Sequence, residues 1–172
     1  MPETGPPEFA LGRLLHRLSE ADVDFVVIGG VAVVVQGSPR FTRDLDISYS
    51  TEPENLSRLG GVLTVLEARL RGVEEDLPFV ADARLLKQVQ MLALTTRDGD
   101  IDLLSDPPGS PGYPSLKRKA SRVDLGGSTV LIASIEDLMA MKAASGRPQD
   151  LVDLESLEIA RRRTSDGESH PR

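Results

Sequence analysis

Apolar positions change their period several times along the chain, and each change marks an element. Phe9, Leu11, Leu14, Leu15 and Leu18 recur at helical spacing, which predicts an amphipathic helix over residues 8–21. Asp24-Phe25-Val26-Val27-Ile28 reads as a short apolar strand that Gly29-Gly30 ends. Periodicity leaves open whether Val31 to Gln36 continues as strand or turns into a buried helix, and Gly37-Ser38-Pro39 breaks whatever precedes it. From Asp44 to Tyr49, Leu45, Ile47 and Tyr49 alternate with Asp44, Asp46 and Ser48, the period-2 pattern of a half-buried strand. Thr51-x-x-Glu54 with Pro53 has the form of a capping box, and Leu56, Leu59, Leu63, Leu66 and Leu70 make the stripe of a helix that Gly72 ends.

Residues 87–95 and 99–105 read as two strands joined through Arg97-Asp98-Gly99, with a loop over Pro107–Pro114. Arg118–Leu125 and Ser128–Ala133 form a second hairpin around Gly126-Gly127. Ser134 caps a helix to about Ser145, Gly146 stops it, and Pro148 opens another to about Arg163. Residues 164–172 lack apolar content and are expected to be a disordered tail, leaving 1–163 as a single domain. Strands interleaved with helices give an α/β or α+β domain with helical ends.

Composition narrows the function classes. The 172 residues fit one domain able to bury a core unaided. With no cysteine, disulfide frameworks, thiolate zinc sites and cysteine nucleophiles are excluded. The two histidines, His16 and His170, leave little for a serine triad or a histidine metal site, and His16 lies beside a helix stripe as a surface residue would. A formal charge of −7 and 3% aromatics without tryptophan argue against a nucleic-acid coat or a base-stacking platform. The longest apolar run, Phe25 to Val35, is well short of the roughly 18 residues of a membrane span. The first residues lack the basic start and apolar stretch of a signal peptide, so a soluble, cytoplasmic protein with no membrane partner is expected.

The chemically informative stretch is Val27-Ile28-Gly29-Gly30, thirteen residues, then Asp44-Leu45-Asp46-Ile47. Residues i and i+2 of a strand share a face, so Asp44 and Asp46 project together, about 7 Å apart at Cα. Asp102, in Ile101-Asp102-Leu103, is a third carboxylate between apolar neighbours on a later strand. Aspartate has poor strand propensity, and three carboxylates held close are tolerable only with metal or protons between them. Oxygen-only ligands select a hard cation, Mg²⁺ or Mn²⁺, and side chains of this length can converge on a two-metal site. Gly29-Gly30 would let backbone approach a ligand closely, and free N–H groups favour phosphate there if a helix follows. Arg40 and Arg43 add positive charge just before the carboxylates, where a triphosphate would lie. Taken singly, these features read as a tight turn, an exposed strand face, a hairpin end and solvated loop charges. Their joint occurrence in this order points to chemistry.

The same run resembles the DNA polymerase β-type nucleotidyltransferase superfamily, with its Gly-Gly or Gly-Ser, a bridge, Asp-x-Asp, and a later acidic residue. It is more closely similar to the small AbiEii-like bacterial nucleotidyltransferases linked to toxin–antitoxin systems. Arg40-Phe41-Thr42-Arg43-Asp44-Leu45-Asp46 is similar to their Arg-x-Thr-x-Asp-Leu-Asp, and Gly99-Asp100-Ile101-Asp102-Leu103-Leu104 to their strand with the third acid. Ser134-Ile135-Glu136-Asp137-Leu138, Lys142 and Gly146-Arg147-Pro148-Gln149-Asp150-Leu151 follow their C-terminal helices, although Gln149 stands where relatives often carry Lys. The resemblance spans Asp24 to Leu157 and implies the nucleotidyltransferase fold: a mixed twisted β-sheet flanked by helices, with a C-terminal helix pair.

Carried onto this chain, the resemblance has Gly29 and Gly30 hold the triphosphate, with Arg40, Thr42 and Arg43 beside it. Asp44 and Asp46 would bind metal. Asp102 would complete that site and help deprotonate the acceptor, and Lys142 would reach the nucleotide. Asp150 and Asp153 share one helix face and could contact substrate or cap the helix. The implied activity is Mg²⁺- or Mn²⁺-dependent transfer of a nucleoside monophosphate from an NTP to a hydroxyl, with release of pyrophosphate. The acceptor could be a tRNA 3′ end, a protein hydroxyl or a small molecule such as an antibiotic, and a toxin or antitoxin partner protein is implied. The rival expectation is an inactive binding module on the same fold. A third is nucleic-acid binding through Lys117-Arg118-Lys119 and Arg161-Arg162-Arg163.

Overall fold

A computed structural model describes residues 9–73 and 79–168. The chain runs α1 (Leu11–Glu20), β1 (Phe25–Ile28), α2 (Gly29–Val35), β2 (Asp44–Tyr49), α3 (Pro53–Val65), β3 (Arg69–Leu70) and α4 (Ala83–Gln88). It continues through β4 (Met91–Thr96), β5 (Gly99–Leu104), α5 (Tyr113–Lys119), β6 (Ser121–Leu125), β7 (Ser128–Ile132), α6 (Ile135–Ser145) and α7 (Pro148–Glu168). The strands form one mixed seven-stranded sheet in the order β3-β4-β5-β2-β1-β7-β6, so the expected α/β architecture with a flanked mixed sheet and a C-terminal helix pair is present.

The most apolar strand, β1, lies inside the sheet. β1 pairs antiparallel with β2 and parallel with β7, and all four of its residues are buried. A strand covered on both faces reads as an unbroken apolar run, which is why Phe25–Ile28 does not alternate. β2 does alternate. Leu45, Ile47 and Tyr49 enter the core, where the Tyr49 hydroxyl donates to the Leu86 carbonyl of α4 at 2.7 Å. Asp44 and Asp46 take the other face. β2 runs parallel to β5 in a register that sets Asp44 beside Asp100 and Asp46 beside Asp102.

Leu14, Leu15 and Leu18 of α1 and Leu56, Leu59 and Leu63 of α3 are almost wholly removed from solvent. Each such side chain contributes about 1.5–3 kcal/mol of burial. The segment left open, Val31–Gln36, is helical, because the chain turns straight into α2 at Gly29, whose φ of 63° favours glycine. No helix among the described residues is long and apolar enough to cross a membrane.

Several local readings need correction. Thr51 and Glu54 do not form a capping box: α3 starts after Glu52 without a side-chain cap. Asn55 instead ties the ends of β1 and β2 together, accepting from Asp24 N at 2.6 Å and donating to Ser50 O at 2.8 Å. α3 stops at Val65 rather than near Gly72. Glu67 adopts φ 53° and the Ala68 N–H returns to the Leu63 carbonyl, so Leu70 lies on the sheet edge as β3. Residues 83–88 form a helix capped by Asp82, whose carboxylate accepts from Leu85 N at 2.7 Å, and β4 begins only at Met91. The loop from Pro107 ends at Gly112, where α5 starts and takes in Arg118, leaving Ser121 as the first residue of β6. α7 passes Arg163 and continues to Glu168, with Thr164 and Ser165 hydroxyls donating to the Ala160 and Arg161 carbonyls. Of the expected tail, only residues 169–172 lie outside the described residues.

Candidate active site

Strand alternation and the parallel β2–β5 register bring three carboxylates together. One oxygen from each of Asp44, Asp46 and Asp102 lies within 4.8 Å of the others, the single such acidic or histidine group found among the described residues. Burial, then the charges of Asp44 and Asp102, push the Asp46 carboxyl up to about 7, against a Gly30 backbone hydrogen bond and Lys142. Asp102 is likewise raised, first by burial and then by Asp44, with Arg71 offsetting part of the effect. Such a cluster binds protons or a hard cation more readily than it stands fully ionised, and an all-oxygen donor set fits Mg²⁺ or Mn²⁺.

The glycine pair has a duty that sequence reasoning did not assign. A Cβ on Gly29 would overlap the Asp46 carboxylate, and one on Gly30 would lie 2.8 Å from Thr42 Oγ1 and 3.3 Å from an Arg40 guanidinium nitrogen. Gly29 thus makes room for Asp46, and Gly30 for Thr42 and Arg40. Thr42 is itself close to the cluster, its hydroxyl donating to the Asp44 carbonyl at 3.2 Å and lying 3.4 Å from Asp44 Oδ1.

A cleft of about 460 Å³ opens over the carboxylates, lined on its polar side by Gly29, Gly30, Arg40, Lys142 and Arg147. Met91, Leu104, Pro107, Pro108, Leu138 and Met141 supply its apolar wall. Arg43 is not part of that lining; its guanidinium stacks 5.4 Å above the exposed Phe41 ring.

Asp150 and Asp153, left open between substrate contact and helix cap, are 1% exposed and serve as counter-charges. Lys142 Nζ lies 3.0 Å from Asp150 and 2.9 Å from Asp153, while Arg40 reaches Asp153 at 2.7 Å. Arg147 meets Asp150 through both its side chain and its backbone N–H, at 3.0 and 3.1 Å, so Asp150 also caps α7. Burial opposes ionisation of Asp150, yet hydrogen bonds from Lys142, Ser145 and Arg147 outweigh it and hold the carboxyl well below its usual range. Gln149 donates to Asp153 at 3.2 Å and joins this network without charge.

Sequence reasoning missed Arg71 altogether. Its guanidinium contacts Asp102 at 2.7 Å and Asp100 at 3.2 Å, with Asp44 at 4.0 Å. No periodic signal marked it, because residues 66–71 read as the end of a helix. The basic runs are largely engaged at home: Lys117 pairs with Asp24, Lys119 with Asp137, and Arg161 and Arg162 with Glu158.

The fold is shared with solved nucleotidyltransferase structures at low identity. A lincomycin-bound lincosamide antibiotic adenylyltransferase, LnuA, matches with 15% identity and a TM-score of 0.57, covering 90% of this chain and 98% of that one. An antigenic nucleotidyltransferase-like protein from Paracoccidioides brasiliensis matches with 16% identity and a TM-score of 0.56, over 86% and 72% of the two chains. ANT(2'')-Ia in complex with adenylyl-2''-tobramycin follows with 14% identity and a TM-score of 0.51, over 92% and 98%. Comparison with curated proteins gives no match. The family described as nucleotidyl transferase AbiEii toxin, type IV TA system, matches residues 13–160. With the Gly-Gly pair, both acid strands, α6 and the first part of α7 inside that span, this chain belongs to the AbiEii family and is a nucleotidyltransferase.

Proposed function

We propose that the chain transfers a nucleoside monophosphate from an NTP to a hydroxyl acceptor and releases pyrophosphate. The observation that carries this reading is the convergence of Asp44, Asp46 and Asp102 beneath a cleft with a cationic rim. The three carboxylates would hold Mg²⁺ or Mn²⁺, whose chemistry is to lower the acceptor's pKa and to neutralise charge on the phosphates. Asp102 would receive the acceptor proton. Gly29, Gly30, Arg40 and Lys142 face the space a triphosphate would fill, with Thr42 holding the Asp44 end of the cluster. Arg43, stacked on Phe41 beside the cleft, would contact a phosphate only after leaving that ring.

A lincomycin-bound lincosamide antibiotic adenylyltransferase and a complex with adenylyl-2''-tobramycin share the fold, which supports an antibiotic-like acceptor as one candidate; an RNA 3′ end and a protein hydroxyl are the others. The family description names a type IV TA system, which supports a toxin or antitoxin partner protein, and a cytoplasmic location, as parts of the proposal.

The test needs no prior choice of acceptor. Purified protein and its Asp46→Asn variant are incubated with bacterial lysate, Mg²⁺ and each NTP labelled at the α-phosphate. Label entering RNA, protein or small molecules only with the unmodified chain supports transfer and identifies the acceptor class. Equal labelling by both proteins refutes the assignment of Asp46. A chain that forms a stable protein complex yet binds no NTP with Mg²⁺ is a binding module instead.

A further inference from the structure

Arg71 lies in the turn after β3, outside every motif that marks the site, and approaches the carboxylates from the β3–β4 edge rather than through the cleft. Its backbone N–H donates to the Ala93 carbonyl at 3.0 Å, which fixes the turn on β4. One guanidinium nitrogen then divides its hydrogens between the Leu94 carbonyl at 3.0 Å and Asp102 Oδ1 at 2.7 Å. Nε sits 3.2 Å from Asp100 Oδ2, and the remaining nitrogen 4.0 Å from Asp44 Oδ2. The guanidinium is therefore fixed by a hydrogen bond to the Leu94 carbonyl and by its charge contact with Asp100 as it reaches Asp102, whose side chain is 9% exposed. Asp100 and Asp102 project on the same face of β5, so one charge bridges an acid outside the triad to one inside it.

We infer that Arg71 is a positioning residue for divalent-cation binding: it occupies one oxygen of Asp102 and so fixes the other toward Asp44 and Asp46. This rests on the metal-site reading above and deepens it. The chemistry is that of an outer partner to a carboxylate ligand, whose loss typically weakens metal affinity by about 10–100-fold. A rival physical effect has the opposite sign. If the guanidinium acted only as a like charge near the cation, its removal would tighten binding. The anchoring by Leu94 and Asp100 favours the first effect, because an arginine that was only a counter-ion would not need a fixed plane.

The experiment measures Mn²⁺ binding to the full chain without nucleotide, from the free-Mn²⁺ electron paramagnetic resonance signal, beside thermal unfolding of each protein. Arg71→Gln is expected to weaken Mn²⁺ affinity about tenfold. Arg71→Lys keeps the charge but loses the fork, and is expected to recover only part of that loss. Unchanged or tighter binding by Arg71→Gln overturns the inference while leaving the metal site intact, even where its melting temperature falls. Should Arg71→Gln fail to fold, Arg71→Lys decides, and affinity equal to the unmodified chain overturns the inference. Absence of Mn²⁺ binding to the unmodified chain overturns the metal site and the inference together.

Discussion

Asp46→Asn separates the cost of the site from its use. The Asp46 carboxyl is raised from 3.8 to about 7, chiefly by burial and then by Asp44 and Asp102. The folded chain therefore holds a proton that the unfolded chain has already lost, so stability falls as pH rises from about 4 through 7 and is level above that. At about 1.4 kcal/mol per pH unit, the three-unit shift amounts to roughly 4 kcal/mol at pH 8. Asparagine keeps the shape and can still accept from the Gly30 N–H, but carries no charge. The variant should therefore exceed the unmodified chain in stability by about 2–4 kcal/mol at pH 8, and the gap should narrow by about 2–3 kcal/mol at pH 5. The assay is urea unfolding at both pH values in the presence of a chelator. Repeating it with Mn²⁺ should stabilise the unmodified chain and leave Asp46→Asn unmoved. A gap that does not change with pH, or a variant less stable than its parent at pH 8, would refute the electrostatic reasoning.

Other substitutions probe the surroundings. Lys142→Met removes the charge shared by the buried Asp150 and Asp153, leaving them Arg147 and Arg40, and should cost about 1.5–3 kcal/mol in urea unfolding. Gly29→Ala places a Cβ on the Asp46 carboxylate at a φ of 63°, and should lower stability by about 1–3 kcal/mol while abolishing both Mn²⁺ binding and nucleotidyl transfer. Gly146→Ala is the contrast: its φ is also positive, but the nearest atom to the new Cβ is 3.9 Å away. It should cost only about 1 kcal/mol of stability and leave transfer unchanged.

Legibility in the sequence followed the range of the interactions. β1, β2, β5 and β7 were readable because burial writes its period directly into neighbouring residues, and Ser134 and Gly146 marked α6 because caps are local chemistry. Asp44 and Asp46 were readable for the same reason, since spacing within a strand fixes which acids share a face, whereas Asp102 on β5 was joined to them through the family resemblance. What escaped was set by partners distant in sequence. Leu66 and Leu70 stand four apart as a helix would place them, yet pairing with β4 claims Leu70 for the sheet. Arg71 touches acids about thirty positions away, and nothing near it announces them. Asp150 and Asp153 showed their common face, but whether cations or solvent met that face depended on where α6 came to rest.

The Arg40–Asp153 bridge spans 113 positions of sequence, and the interior strand β1 has β7 as one neighbour. During synthesis, therefore, the acids of β2 and β5 leave the ribosome well before the residues that complete their surroundings. Until β7 closes the sheet and α7 supplies its two aspartates, Arg40 and Lys142 have no counter-charge to fix them at the rim. A nascent chain thus carries every ligand of the cluster while lacking its assembled cleft. The cleft over the carboxylates is therefore complete only once almost the whole described fold has been translated.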